Sequence, residues 1–370
     1  MKPFKPYTLP IKNINFERLI KFVAEANKKL SMYNGILQVM INPNILLAPL
    51  TTKEAVLSSK IEGTQVSFTE LLQYEAEEKN IKNININDVN EVLNYKKAML
   101  EAENMFKERP FIHLNMIKNL HNILLSGVRG NNKARGEFRK IQVYIGNKGC
   151  NIENATYIPP EAQNILPALD NLEKYINNEE QETLISCAIM HAQFEMIHPF
   201  LDGNGRMGRM LIPLFLYQKD CICKPVFYMS EYFESNRQEY YIKLNNISSN
   251  GNWDDWIEFF LKAIVEQSNR NINKSKEIID LYNNLKKEFI NTTHSDFAIE
   301  VLDNLFKKPI ISSSELAKNS NINVYRTANS IFNKLLNANL ISINKETKGN
   351  KSAIYCLDKL VEIVDGKVDL

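Results

Sequence analysis

The run His198-Pro199-Phe200-Leu201-Asp202-Gly203-Asn204-Gly205-Arg206-Met207-Gly208-Arg209 gathers a base, a hard oxygen ligand, closely spaced glycines and two cations. An imidazole with an ordinary pKa of about 6.5 can take a proton from a hydroxyl at neutral pH, which makes His198 the candidate general base. Asp202 offers the kind of carboxylate oxygen that Mg²⁺ takes when substrate phosphates complete its octahedron. Gly203 and Gly205 can take positive φ, so the backbone can curl and bring its N–H groups close to an anion. A helix starting here aims its unpaired first N–H groups and the positive end of its dipole at the same point. Arg206 and Arg209, three apart on its first turns, can fork onto phosphate oxygens. Two arginines there oppose the dipole, so helix stability does not account for them, whereas a bound polyphosphate does. The chemistry is phosphoryl or nucleotidyl transfer. The stretch is neither a P-loop, which needs Gly-Lys-Ser/Thr, nor a Rossmann turn, since no strand pattern precedes it.

The elements that must position these residues are mostly helical. Leu184, Cys187, Ala188, His191 and Phe194 recur at helical spacing, Pro199 disfavours helical geometry at His198, and Met210 to Tyr217 is an apolar run. Residues 14–38, about 51–60, 88–106, 112–126, 226–247 and 253 to near 286 also read as helices, and Ser67-Phe68-Thr69-Glu70 is a capping box opening another. Gln142 to Gly146 alternates as a strand, and Thr156 to Pro160 is expected to return antiparallel to it, with Asn147 to Ala155 as the tip. His113 and His121 read as structural, because neither has a second ligand at metal spacing. The helix over 51–60 ends in Ser58-Ser59-Lys60-Ile61-Glu62-Gly63, where Gly63 suits a left-handed stop. Glu62 is the anomaly: a carboxylate at a helix C-terminus opposes the dipole by up to about 1 kcal/mol and calls for a partner cation.

His198 to Arg209 resembles, position by position, the signature His-Pro-Phe-x-Asp/Glu-Gly-Asn-Gly-Arg-x-x-Arg of Fic-domain proteins. The resemblance implies a mainly α fold, a Fic helical core with a small β-hairpin flap, that transfers AMP from Mg-ATP to a Ser, Thr or Tyr hydroxyl of a target protein. Self-modification stays open. It also implies His198 as base and Asp202 on Mg²⁺. The Gly203-to-Gly205 backbone, with Asn204 and Arg206, would hold the α- and β-phosphates, and Arg209 the γ-phosphate. Met207 and Gly208 would complete the ATP-binding stretch, and Phe200 would anchor the loop in the core.

Ser58-x-x-x-Glu62-Gly63 likewise resembles the Ser/Thr-x-x-x-Glu-Gly/Asn motif of Fic proteins whose inhibitory helix, here about residues 51–63, precedes the core. By that resemblance Glu62 pairs with Arg209 at the edge of the ATP site. The γ-phosphate then loses its forked partner, so removing Glu62 is expected to raise the rate. In a second state the same carboxylate would position water on a modified hydroxyl, which gives a de-AMPylase or a bifunctional enzyme as the alternative. The flap, about residues 142–158, would line up a protein substrate by strand addition. Ser230, Tyr232, Asn236, Arg237, Tyr240 and Tyr241 lie on a helical pattern whose tyrosine-rich face is ordinarily core. Similar patterns in Fic proteins lie near the nucleoside, which makes Asn236 and Tyr240 candidates for adenine or ribose contact.

With 370 residues and 44% apolar content the chain can bury a sizeable core. Its formal net charge of +2 makes no general case for nucleic acid or an anionic membrane. No run approaches the roughly 20 apolar residues of a membrane span, and the first residues lack a signal-peptide core, so a cytoplasmic location is expected. The five cysteines are unpatterned and read as reduced thiols. Three regions follow: 1–87 N-terminal helical, 88–285 Fic core, and 295–370. The last has helices expected at 297–306, 313–318 and 324–337, a turn at 319–323, and strands at 340–343 and 353–356, the order of a winged helix-turn-helix. Arg326, Lys334, Lys345, Lys348 and Lys351 are few for DNA, so protein docking or dimerisation is favoured there. A DNA-binding regulator whose core senses nucleotide is the rival of another class. The sequence leaves a homodimer open and identifies no target.

Overall fold

The structure is a computed structural model describing residues 2–76, 84–128, 133–146, 149, 151–178, 181–319, 321–322, 325–345 and 352–366. Its helices begin with α1 (Phe16–Val39), α2 (Pro43–Leu46), α3 (Ala48–Ile61), α4 (Phe68–Ala76), α5 (Ile86–Glu108) and α6 (Leu114–Leu124). They continue with α7 (Ile165–Ile176), α8 (Thr183–Ile197), α9 (Asn204–Gln218), α10 (Ser230–Ser235), α11 (Arg237–Asn250) and α12 (Trp253–Thr293). The chain then runs α13 (Ala298–Lys307), β1 (Ile310–Ser312), α14 (Ser313–Asn319), α15 (Tyr325–Asn337), β2 (Ser342–Lys345), β3 (Ile354–Cys356) and α16 (Asp358–Asp365).

These elements form two compact units that do not follow the three expected regions. One unit holds residues 1–38, 57–64 and 90–269; the other holds 39–56, 65–89 and 270–370. Unit boundaries fall inside α3, α5 and α12, so no linker composition marks them.

The first unit is built round α8, which is buried on nearly every side from Leu184 to Ile197. A helix apolar all round has no solvent face to present and therefore becomes the centre of its bundle. It packs against α7 and α9. Helix α7 was absent from the expectations, although Ile165, Ala168, Leu169, Leu172 and Ile176 recur at helical spacing and are buried. Tyr240, Phe233, Trp256 and Phe260 close round His191 of α8, with Tyr240 and Phe233 centroids 4.6 Å apart. The expected helix over 226–247 is two, α10 and α11, broken at Asn236.

The expected hairpin is much reduced. Its strands shrink to one antiparallel bridge, Ile145 to Tyr157, and residues 152–154 form a 3₁₀ turn. Asn147, Lys148 and Cys150 of the tip lie outside the described residues.

In the second unit α4 buries Phe68, Leu71, Leu72 and Tyr74 and packs on β1, while α2 packs on α13. Strands β1, β3 and β2 form an antiparallel sheet in that order, with Ile311 opposite Tyr355 and Tyr355 opposite Ile343. Strand β1 and the closing helix α16 were not among the expectations. Lys334, one of the cations considered for DNA, donates to the Thr293 carbonyl at 2.7 Å. Lys348, Lys351 and the Asn323 end of the expected turn lie outside the described residues. Among the described residues, no helix is long and apolar enough to cross a membrane.

Candidate active site

The turn between α8 and α9 brings the expected chemistry together. His198 caps α8 in the left-handed region, at φ 49° and ψ 61°, and donates its N–H to Phe194 O at 3.0 Å. Burial pushes the imidazole pKa down to about 4, the Glu195 carbonyl favouring the charged form and Arg139 opposing it. His198 is therefore neutral at pH 7 and able to accept a proton. Its Nδ1 is buried and makes no hydrogen bond of ordinary geometry.

The loop's shape is held from behind. Phe200 is fully buried and stacks on His121, ring centroids 3.6 Å apart and 7° from parallel. The His121 Nδ1 accepts from Gly136 N at 2.9 Å, which leaves its proton on Nε2 to donate to Asp202 O at 2.9 Å. Burial lowers its pKa to about 4, keeping that tautomer neutral. Asn204 staples the turn: Phe200 N donates to its Oδ1 at 2.8 Å and its Nδ2 donates to Phe200 O at 2.9 Å. The Asn204 side-chain amide is thus engaged by the loop, and its main chain lies at the helix start.

Gly203 takes φ 78° and precedes α9 without any side-chain cap, so the first N–H groups of the helix have no capping acceptor. Gly205 is helical, and what it supplies there is space. A Cβ there would stand 2.1 Å from Glu62 Oε1 and 2.9 Å from Arg209 Nη1. Gly208 faces the other way, where a Cβ would stand 2.1 Å from Glu195 Oε1 on α8. Met207 is fully buried. Met207 thus packs into the core, and Gly208 lets α9 approach α8.

Arg206 is 1% exposed and donates through Nη1 to Glu91 on α5 at 3.1 Å, while its Nη2 lies 3.7 Å from Asp202. Its Nε is buried without an acceptor. Glu91 escaped the sequence reading, yet it was detectable: it falls on the stripe of Tyr95, Ala98 and Ala102, a carboxylate in register with buried positions. Asp202 accepts the Gly203 N–H at 2.7 Å. Among the described residues no three His, Cys, Asp or Glu side chains gather as a metal cluster, so Asp202 stands as a single carboxylate.

Arg209 is met by the end of α3. Its Nε donates to Ser58 Oγ at 2.9 Å, and its Nη2 to Ser58 O and to Glu62 Oε1, both at 2.7 Å. Burial would raise the Glu62 pKa, but Arg209, with Arg206 and His198, outweighs it and holds the carboxylate below its usual range. The helix end is fully accounted for. Gly63, at φ 98°, donates to Lys60 O at 2.9 Å and Thr64 to Ser59 O at 3.2 Å, the double bond pattern of a Schellman stop. Ser58 O takes Arg209, and Ile61 O takes Arg237. Two guanidiniums at the negative end of α3 offset the unfavourable placement of Glu62.

The two nucleoside candidates have different surroundings. Tyr240 is 1% exposed within the aromatic cluster, and its hydroxyl donates to His191 Nε2 at 2.9 Å while His191 Nδ1 donates to Gly208 O at 3.0 Å. It is core, for the reason aromatic stripes usually are. Asn236 spends its Nδ2 on Tyr232 O at 2.9 Å.

Comparison with known proteins gives the family. Residues 20–104 match the description "Fic/DOC family N-terminal" and residues 111–216 "Fic/DOC family". The chain belongs to the Fic/DOC family. It is 31% identical over 134 residues to protein adenylyltransferase Fic of Drosophila mojavensis, covering 35% of this chain and 24% of that protein. Its likeness to the Drosophila yakuba protein of the same name is 29% over 164 residues, covering 44% and 30%. The chain thus spans under a third of the length of these curated relatives. A Fic family protein from Desulfovibrio desulfuricans G20 shares the fold with a TM-score of 0.59 at 20% identity, over 96% of this chain and 98% of that one. Fic-1 from C. elegans, residues 134–508, aligns with a TM-score of 0.52 at 22% identity, over 71% and 73%.

Proposed function

We propose that this chain is a protein adenylyltransferase held inactive by Glu62. The observation that carries the reading is the position of one carboxylate: Glu62 Oε1 lies over Gly205, where a methyl group would stand 2.1 Å away, and is bonded to Arg209 at 2.7 Å. A carboxylate at a helix N-terminus between two buried arginines occupies the place suited to a phosphate.

With Glu62 withdrawn, the free N–H groups of α9, Arg209 and the unpartnered Nε of Arg206 offer donors to a polyphosphate. Asp202 suits Mg²⁺, which with one protein carboxylate takes its remaining ligands from phosphate and water. The ion would supply charge neutralisation as the diphosphate leaves. His198, neutral at pH 7, accepts the proton of a target hydroxyl, whose oxygen attacks the α-phosphorus. The target segment docks along the flap near Ile145, and the curated relatives carry the name protein adenylyltransferase. The DNA-binding rival loses ground because Lys334 is already engaged. The winged-helix character of residues 298–365 belongs to the proposal as a docking module.

Label at the α- and γ-phosphates of Mg-ATP tests this. Glu62→Gly is expected to raise α-label transfer to protein over wild type by tenfold or more, and His198→Ala in that background to abolish it. Label from the γ-phosphate alone would reject the reading.

A further inference from the structure

Arg139 is a buried guanidinium whose hydrogen-bond partners among the described residues are all main-chain carbonyls. Nε donates to His198 O at 2.8 Å, and Nη2 to Pro160 O at 2.6 Å and Ile197 O at 3.4 Å. Nη1 donates to Ile141 O at 3.0 Å, and the Arg139 main-chain N–H to Pro199 O at 2.8 Å. Burial lowers its pKa only to about 10, so it stays charged at pH 7.

These carbonyls fall into two groups. Ile197, His198 and Pro199 are the C-terminal end of α8 and the turn that carries the base; a cation there meets the negative end of the helix dipole. Ile141 and Pro160 are the two feet of the flap. Among the described residues the flap has a single bridge between its arms, and side chains add ties of their own. Gln142 Nε2 ties Pro159 O at 2.8 Å, and the Tyr157 hydroxyl donates to Met196 O at 2.7 Å. Arg139 alone among these reaches both feet and the base. Its planar fork aims donors in several fixed directions, which a lysine ammonium cannot reproduce.

We propose that Arg139 is the positioning residue that joins the flap to the His198 turn, so that a segment docked on the flap arrives in register with the base. The consequence for transfer rests on the adenylyltransferase reading; the mechanical coupling does not. A misplacement of about 1 Å in such a reaction costs roughly 100-fold in rate.

Two measurements decide it. In the otherwise unchanged chain, amide exchange at low denaturant is expected to show Ile145, Tyr157 and His198 opening together, with one denaturant dependence. Separate openings would overturn the proposal without any substitution at a buried site. In the Glu62→Gly background, Arg139→Lys is expected to leave the ATP dissociation constant within about twofold while transfer at saturating ATP falls roughly 10- to 100-fold. Loss of ATP binding in step with transfer, or faster flap exchange with transfer unchanged, would overturn it. If the Glu62→Gly parent transfers no label, the adenylyltransferase reading fails, and the exchange result alone decides the coupling.

Discussion

Four buried ionisable side chains surround the candidate site, and they make three measurable claims. Arg206 and Glu91 are both 1% exposed and bonded to one another. Removing one partner strands the other charge, so Glu91→Ala is expected to destabilise the fold by about 3–5 kcal/mol, read from the urea midpoint. Glu195 lies against Gly208 with its Oε1 unpartnered; burial lifts its pKa to about 8, Arg209 opposing and Glu62 reinforcing. Between its ordinary 4.5 and about 8 the native chain keeps a proton that the unfolded chain releases, so its contribution to stability falls as pH rises through that window. Urea midpoints at pH 5.5 and 8 are expected to differ less in Glu195→Gln than in wild type. His198, held near 4 by burial, predicts that transfer by the Glu62→Gly chain is nearly flat between pH 6 and 7.5. A rate that halves near pH 6.5 would mean a solvated imidazole.

On the proposed reading, the end of α3 is a latch with several ties. Glu62 is the visible one, but Ser58 gives Arg209 both a hydroxyl and a carbonyl, Arg237 holds Ile61 O, and Lys60 lies 3.7 Å from Glu234. A single hydrogen bond is worth about 0.5–1.5 kcal/mol, so Ser58→Ala or Arg237→Ala alone is expected to raise transfer roughly 2- to 10-fold, less than Glu62→Gly. Label transfer at fixed ATP measures this, and no rise in either variant would leave Glu62 as the only restraint. On α9, Gly205 and Gly208 serve opposite faces: one leaves room over the helix start and the other lets α8 approach.

The chain is assembled from segments distant in sequence. Residues 39–56 and 65–89 belong with 270–370, and α4, which buries Phe68, Leu71 and Leu72, packs on β1. A protein ending at residue 294 therefore loses the surface on which α4 and α2 are buried. It is expected to bind a hydrophobic dye and to be cleaved within residues 65–76, while a division at 295 between independent domains would leave both properties unchanged.

Local pattern sufficed for the helices α5, α6, α8 and α9, for the cluster from His198 to Arg209, and for Gly63 as a stop. Those depend on spacing, proline and glycine, which act within a few residues. It also exposed Glu62 as a carboxylate in need of a cation, and the resemblance to Fic proteins supplied Arg209 as that cation. Other positions are ambiguous in sequence for a shared reason. Asn204, Met207, Gly208 and Tyr240 suit a ligand site or a packed core equally, and only their neighbours decide. Asn204 found Phe200, Tyr240 found His191, and Gly208 found Glu195. Glu91 was passed over although its register with Tyr95, Ala98 and Ala102 marks it, whereas Arg139 lies on no such stripe and is revealed as buried only by the carbonyls that hold it from elsewhere in the chain. The sequence alone determined the candidate groups for chemistry and the helices on which they lie. Tertiary structure decided which of them are buried and what each is bonded to, because burial and pairing are properties of distant contacts.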